Sequence, residues 1–149
     1  MIQKQELYNL CQSFVNKRLQ TIEFIISSNQ KALASETKSS AGDKHETGRA
    51  MLQLEIEKAG QQLQAVIQMK ETLAKIDVRK KTKIAHLGSV VISNQANYFL
   101  SISAGKITVE NINYFAISIY SPIGKLFLGK KKGTEISFNN LNILIKEIL

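Results

Sequence analysis

Two long segments with helical periodicity fill the first half of the chain and constrain its fold more than any other feature. Residues 3–34 contain neither glycine nor proline, and their apolar side chains recur mostly at steps of three and four, as on one face of a helix. These side chains are Leu7, Leu10, Phe14, Val15, Leu19, Ile22, Ile25, Ile26 and Leu33. Residues 49–76 follow a heptad more closely, with the positions Leu52, Ile56, Ala59, Leu63, Val66, Lys70 and Leu73, of which only Lys70 is polar.

Neither helix can bury its apolar stripe alone, so the two are expected to pair. The economical arrangement is an antiparallel coiled-coil hairpin within one chain, and pairing between chains is the alternative. A helix of about 30 residues at 1.5 Å per residue gives a hairpin arm ~45 Å long. A connection of about 12 to 14 residues between the helices would form the tip of the hairpin, over residues 36–48.

The tip places Asp43, His45 and Glu46 within four residues. Asp43 and Glu46 have the spacing of a capping box, in which Asp43 accepts the Glu46 N–H and Glu46 reaches back to the Asp43 N–H. Acidic side chains also suit the positive end of the helix dipole. A purely structural interpretation of this pair therefore exists.

The same spacing is also suited to a divalent metal. Two carboxylates at a helix start can hold Mg²⁺, which keeps water or phosphate oxygens at its other positions. A closed zinc site is not expected, because the only other histidine is His86 and the only cysteine is Cys11. The cap and the metal-binding pair are compatible, since a cap fixes the geometry that two working carboxylates need.

Charge is distributed unevenly along the chain. Residues 78–149 carry ten Lys and Arg against three Asp and Glu, which accounts for +7 of the net charge of +8. Such a basic half favours an anionic partner, either nucleic acid or an acidic protein surface, and a merely solubilising surface is the alternative. No run reaches the ~18 apolar residues of a membrane span, and Lys4 and Glu6 interrupt any leader sequence, so we expect a cytoplasmic protein without a membrane partner.

The pattern changes after Asp77, which divides the chain into a hairpin domain, residues 1–77, and a second domain, residues 78–149. Residues 79–83 form a basic linker, which is either a solvated connection or a contact to an anionic partner. Six short runs rich in Val, Ile, Tyr and Phe then predict an antiparallel sheet, over residues 89–93, 98–103, 106–109, 114–119, 135–138 and 142–148. Between the fourth and fifth runs, Ser121 as N-cap, Pro122 at the first helical position and Gly129 at the exit predict one short helix. The expected fold class is α+β.

Residues 118–136, with the sequence SIYSPIGKLFLGKKKGTEI, resemble the signature of the C-terminal domain of the bacterial Gre (GreA/GreB) transcript-cleavage factors. Thr134 stands where the family usually has Asp. At the tip, Gly42, Asp43 and Glu46 match the family pattern G-D-x-x-E-N, while Thr47 replaces the usual Asn and no aromatic residue follows in residues 48–51. The resemblance implies an antiparallel helical hairpin followed by a small FKBP-like domain.

The resemblance also implies a function. Gre factors dock on RNA polymerase through the C-terminal domain, and the hairpin enters the secondary channel toward the RNA 3′ end extruded by backtracking. Docking residues of the matched motif would be Ser121, Pro122, Lys125, Gly129 and Lys130. At the tip, Asp43 and Glu46 would help hold an Mg²⁺ shared with the polymerase active centre, supported by Gly42, His45 and Thr47.

On this interpretation the chain is an accessory factor and not an enzyme. It has no cofactor of its own and no small-molecule substrate, and it meets nucleic acid indirectly, through the polymerase. Two alternatives remain open: a regulator that occupies the same channel without stimulating cleavage, and a coiled-coil adaptor or nucleic-acid binder that uses the basic C-terminal half.

Overall fold

The computed structural model describes the backbone of residues 2–38 and 43–149 and the side chains of residues 4–36 and 46–149. Two long helices, α1 (Ile2–Lys38) and α2 (Asp43–Ala74), precede a six-stranded sheet that is accompanied by one short helix. The elements of this second part are β1 (Val90–Ser93), β2 (Asn97–Ser101), β3 (Gly105–Val109), β4 (Ile112–Ser118), α3 (Pro122–Phe127), β5 (Glu135–Phe138) and β6 (Leu141–Ile148). This architecture confirms the predicted α+β class with an N-terminal helical hairpin. None of the described helices carries an apolar stretch long enough to cross a membrane.

The chain forms two compact units. One contains residues 1–14 and 70–149, and the other contains residues 15–69, the remaining length of the two long helices. The first unit therefore joins both helix ends to the sheet domain.

In the unit of residues 15–69 the two helices run antiparallel. Asn29 Nδ2 of α1 donates to Glu55 Oε2 of α2 at 3.0 Å, and nearer the connection Gly48 faces Glu36. The residues of α1 that turn inward recur at alternating steps of four and three, the heptad spacing of a coiled coil: Val15, Leu19, Ile22, Ile26, Asn29 and Leu33. Ile25, predicted to belong to this stripe, is exposed, as is Leu10 nearer the N-terminus. Both lie beside the stripe on the helix surface.

The heptad of α2 shifts by one residue near its end. Val66 is buried, but the next inward residue is Met69, three positions on, and Lys70 is exposed. The prediction that Lys70 lies in the apolar stripe was therefore wrong. The stripe then continues to the buried Leu73.

The helices also extend further toward the tip than predicted. α1 continues to Lys38 and α2 begins at Asp43, so the described helices are separated by residues 39–42 instead of by a connection of 12 to 14 residues. Thr37 and Lys38 do not interrupt a helix as glycine or proline would, which explains why the helix runs past the last apolar position.

The sheet has the strand order β3-β4-β2-β1-β6-β5. Most neighbours are antiparallel, but β2 and β4 are parallel, with Tyr98 opposite Phe115. The prediction of a purely antiparallel sheet was wrong at this pair. β3 lies outside β4, so the β3–β4 hairpin returns the chain beside β2 in the same direction as β2.

The two faces of the sheet have different coverings. Tyr98 and Leu100 belong to the core that surrounds Phe127 of α3, and the Tyr98 and Phe127 ring centroids are 4.9 Å apart. Alternation along β2 places Phe99 and Ser101 on the opposite face, where Ser101 Oγ lies 3.8 Å from Cys11 Sγ of α1. The first turns of α1 therefore cover the face that α3 leaves open.

Candidate functional site

The tip carboxylate that the structure describes is Glu46, which lies in the first turns of α2 and is exposed, as is Thr47. Two residues further on, Gly48 faces α1: a Cβ at this position would lie 3.7 Å from Glu36 Cδ. Residues two apart on a helix differ by about 200° around its axis at 3.6 residues per turn. Glu46 therefore does not share the side of α2 that Gly48 turns toward Glu36, and its side chain is exposed.

The remaining predicted tip residues lie partly outside what is described. Gly42 is outside the described residues, and the side chains of Asp43 and His45 are too, although both positions belong to α2. The capping box and the Asp43–Glu46 pair stay predictions. Among the side chains of residues 4–36 and 46–149, no group of three or more His, Cys, Asp or Glu comes together as metal ligands.

Large apolar side chains are exposed in the unit of residues 15–69. Phe24 is 72% exposed, Met51 62% and Leu54 66%. Phe24 also lines a groove of about 450 Å³ together with Asn29, Glu55 and other residues of both helices. Single exposed apolar side chains are common on protein surfaces, so these residues do not by themselves define a binding patch.

The short helix α3 begins with a tightly bonded turn. Ser121 Oγ donates to the Ser118 carbonyl at 2.6 Å and accepts the Gly124 N–H at 3.1 Å, so Ser121 is the N-cap that the sequence predicts, with Pro122 in the first turn. Ser118 Oγ in turn accepts the Tyr120 N–H at 3.0 Å. Ser121 therefore holds the backbone of the motif, and its hydroxyl is engaged within the turn.

The chain leaves α3 through Gly129, whose φ of +80° is a left-handed conformation that favours glycine. The Gly129 N–H donates to the Ala85 carbonyl at 2.9 Å, and the Lys130 carbonyl accepts the Ala85 N–H at 2.8 Å. An isolated antiparallel bridge joins Ile84 to Lys131 directly beside these bonds. The segment after α3 is thus attached to the linker that leads into the sheet domain.

The predicted docking residues accordingly fall into two groups. Ser121 and Gly129 shape the motif, whereas Pro122 and Lys125 present exposed side chains and Lys130 is half-buried. Sequence reasoning did not select Tyr120, which is 62% exposed immediately before the cap. An aromatic residue next to the Ser-Pro cap was the available signal, because exposed aromatic side chains are enriched where proteins bind partners.

Sequence reasoning also missed Lys4, which is 1% exposed. Its ammonium group donates to the Lys80 carbonyl at 2.9 Å. Burial lowers the pKa of Lys4, the charge of Lys81 lowers it further, and the charge of Asp77 raises it. The sequence carried no signal for this, because a lysine near the start of a long amphipathic helix ordinarily remains solvated.

His86 lies close to the same region. Its Nδ1 is 2.8 Å from Ser89 Oγ and 3.0 Å from Thr82 Oγ1, while its Nε2 is buried without a hydrogen-bond partner. Burial lowers the pKa of His86, the Ile84 carbonyl raises it, and the charges of Lys4 and Lys80 lower it. Burial and the two lysine charges together outweigh the Ile84 carbonyl and favour the neutral form of His86.

Together the described features define a class: an α+β protein in which a helical hairpin is joined to a six-stranded sheet domain. No protein-family model matches the sequence, and no curated protein matches it either. Among solved structures, that of the transcription factor Gfh1 is similar at 15% identity, over 95% of this chain and 92% of the Gfh1 chain, with a TM-score of 0.35.

Proposed function

We propose that this protein is a transcription factor of the Gre type that binds RNA polymerase and stimulates cleavage of backtracked RNA. The observation that carries the proposal is the resemblance of residues 118–136 to the Gre signature. Its most constrained positions have physical reasons in this fold: Ser121 caps α3, Gly124 packs against the Ser118 backbone, and Gly129 turns the chain. A match at such positions supports a shared domain more strongly than a match at solvated ones.

The hairpin supports the second half of the proposal. α2 is one uninterrupted helix of 32 residues, and Glu46 near its start is exposed. Phe24 and Leu54 are exposed on the hairpin and would contact the walls of a channel in this proposal. The hairpin then presents its acidic tip to the polymerase active centre.

The chemistry belongs to the polymerase in this proposal. Glu46 is exposed on a helix surface, whereas a self-sufficient active site encloses its substrate and excludes water. A second Mg²⁺ shared with the polymerase would supply Lewis-acid stabilisation of phosphodiester hydrolysis. The carboxylates of Asp43 and Glu46 would hold that ion and orient the attacking water, which is a role suited to one or two acidic side chains.

The test is a cleavage assay on halted, backtracked elongation complexes with purified polymerase. The protein should shorten the RNA from its 3′ end, and Asp43→Asn and Glu46→Gln should remove the stimulation while polymerase binding is kept. Glu57→Gln is the matched control, because Glu57 is an exposed carboxylate on the same helix. Full stimulation by Asp43→Asn would contradict the assigned role of the tip.

A second candidate function rests on the departures at the tip. Thr47 stands where the family usually has Asn, and residues 48–51 contain no aromatic residue. These differences favour a regulator that occupies the secondary channel without stimulating cleavage. Binding to polymerase with unchanged RNA length, or with slower RNA synthesis, in the same assay would select this function over the first.

A further inference from the structure

The structure brings two lysine-rich segments together that are about 50 residues apart in sequence. We name them the basic cluster, which consists of Arg79, Lys80, Lys81, Lys83, Lys130, Lys131 and Lys132. The bridge between Ile84 and Lys131 joins the two segments. The hydrogen bonds between Ala85 and the backbone of Gly129 and Lys130 hold the segments together beside this bridge. The cluster is therefore built by the fold and is not a single charge run.

The arrangement concentrates positive charge on one part of the sheet domain. Lys83 and Lys132 directly adjoin the bridged residues Ile84 and Lys131 in sequence. Arg79 pairs with Asp77, with Nε 3.6 Å from Oδ1. Within residues 4–36 and 46–149, the side chains of Lys80, Lys83, Lys130, Lys131 and Lys132 form no ion pair. All but Lys130 are exposed.

A buried cation adds to this charge from beneath. The ammonium group of Lys4 is bonded to the carbonyl of Lys80, so it lies directly under the linker half of the cluster. Its charge is screened by little water, because the residue is 1% exposed. Lys4 thus adds a positive charge to this part of the structure, with Asp77 as an opposing charge nearby.

Composition decides which anion fits this surface. Lysine is depleted in protein–protein interfaces, whose centres are apolar or aromatic, and six of the seven cluster residues are lysine. Lysine commonly binds phosphate as a point charge. Several neighbouring lysines can together neutralise a row of phosphates. We propose that the basic cluster binds the phosphate backbone of nucleic acid without regard to base sequence.

Nucleic-acid binding by the basic cluster does not depend on the function proposed above, because it does not require RNA polymerase. The test is fluorescence anisotropy with short labelled RNA, single-stranded DNA and duplex DNA, titrated at several salt concentrations in the absence of polymerase. We expect the logarithm of the association constant to fall linearly with the logarithm of the salt concentration. Lys83→Gln and Lys132→Gln should each reduce the steepness of this line by about 0.7 for single strands and by about 0.9 for the duplex.

Lys106→Gln is the charge-matched control, because Lys106 is exposed on β3, at the opposite edge of the sheet from β5. It should leave the slope closer to wild type than either cluster variant. Equal effects of all three substitutions would overturn the proposal, because the protein would then respond to net charge alone. Stronger competition by polyglutamate than by RNA would also overturn it, in favour of an acidic protein partner. Relative binding of the three probes identifies which nucleic acid the cluster prefers.

Discussion

The backbone of Ser118 occupies the space that a side chain on Gly124 would need. A Cβ built on Gly124 would lie 2.9 Å from the carbonyl carbon of Ser118 and 3.0 Å from Ile119 Cα. The close approach exists because Ser121 draws the start of α3 back onto the end of β4, through its bonds to the Ser118 carbonyl and the Gly124 N–H. Glycine in the middle of this short helix is therefore a packing requirement.

Gly124→Ala should destabilise the protein by about 3 kcal/mol, the upper part of the range for overpacking in a rigid site. The contact partner is backbone, which cannot move aside as a flexible side chain can. Urea unfolding monitored by circular dichroism measures the change in the free energy of unfolding.

Gly60→Ala provides the opposite control. Gly60 lies within α2, and a Cβ there would meet nothing within 4 Å. Replacement of a helical glycine by alanine in open space should stabilise by up to about 1 kcal/mol. If Gly124→Ala proved as stable as Gly60→Ala, the close packing of α3 on β4 would be wrong.

Features that depend on residues close together in sequence were predictable, and features that depend on distant residues were not. The residues of α3 were predictable because the cap, the proline and the exit glycine lie in one short segment, and β5 was predicted with its observed bounds, Glu135–Phe138. The parallel pairing of β2 with β4 was not predictable, because it depends on where β3 is inserted in the sheet. Burial of Lys4 likewise depends on a carbonyl 76 residues away in sequence.

The candidate site divides in the same way. The acidic tip and the motif around α3 are both predicted from local patterns, and the pairing of the tip carboxylates stays a prediction. The sequence did not show that the linker and the lysines after α3 are adjacent, because that contact depends on the bridge between Ile84 and Lys131 and on the hydrogen bonds of Ala85 with Gly129 and Lys130. It also could not separate shaping residues such as Ser121 from exposed ones such as Lys125, since that distinction needs hydrogen bonds and exposure.

The heptad shift in α2 predicts an asymmetry between two nearby positions. Val66 is 1% exposed, and Val66→Ala should cost about 1–2 kcal/mol through lost apolar contact and the cavity left behind. Lys70 is exposed, so Lys70→Ala should change stability by less than about 0.5 kcal/mol. Thermal and urea unfolding of both variants measure this difference, and a large loss from Lys70→Ala would restore that residue to the apolar stripe.

Cys11 should make the protein less stable in alkali. Burial raises the pKa of its thiol from 9.0 to about 11, while the hydrogen bond with Ser101 acts in the opposite direction. Between these values the unfolded state loses the thiol proton and the folded state keeps it, so the free energy of unfolding falls as pH rises. The loss amounts to about 2–3 kcal/mol once pH exceeds the folded value.

The measurement compares urea unfolding of wild type with Cys11→Ala from below pH 9 to above about pH 11. Cys11→Ala lacks the thiol, so the advantage of wild type should shrink across this interval. An advantage that stays constant with pH would mean that Cys11 is accessible to water in the folded protein. Tyr98 and Tyr114 also have raised pKa values because of burial, but both variants contain them, so their contribution cancels in the difference.

Lys4 should act in the opposite sense to Cys11. Burial and the charge of Lys81 lower its pKa below the ordinary 10.5, against the opposing charge of Asp77. Between the folded value and 10.5 the unfolded state binds more protons than the folded state, so the free energy of unfolding rises with pH.

Lys4→Met replaces the ammonium group by an apolar one of similar length and removes this rise. The stability of Lys4→Met relative to wild type should therefore be most favourable near neutral pH and should decrease as pH approaches 10.5. Lys31→Met, on an exposed position of the same helix, is the control, and an equal pH profile for the two variants would show that the Lys4 ammonium group is solvated.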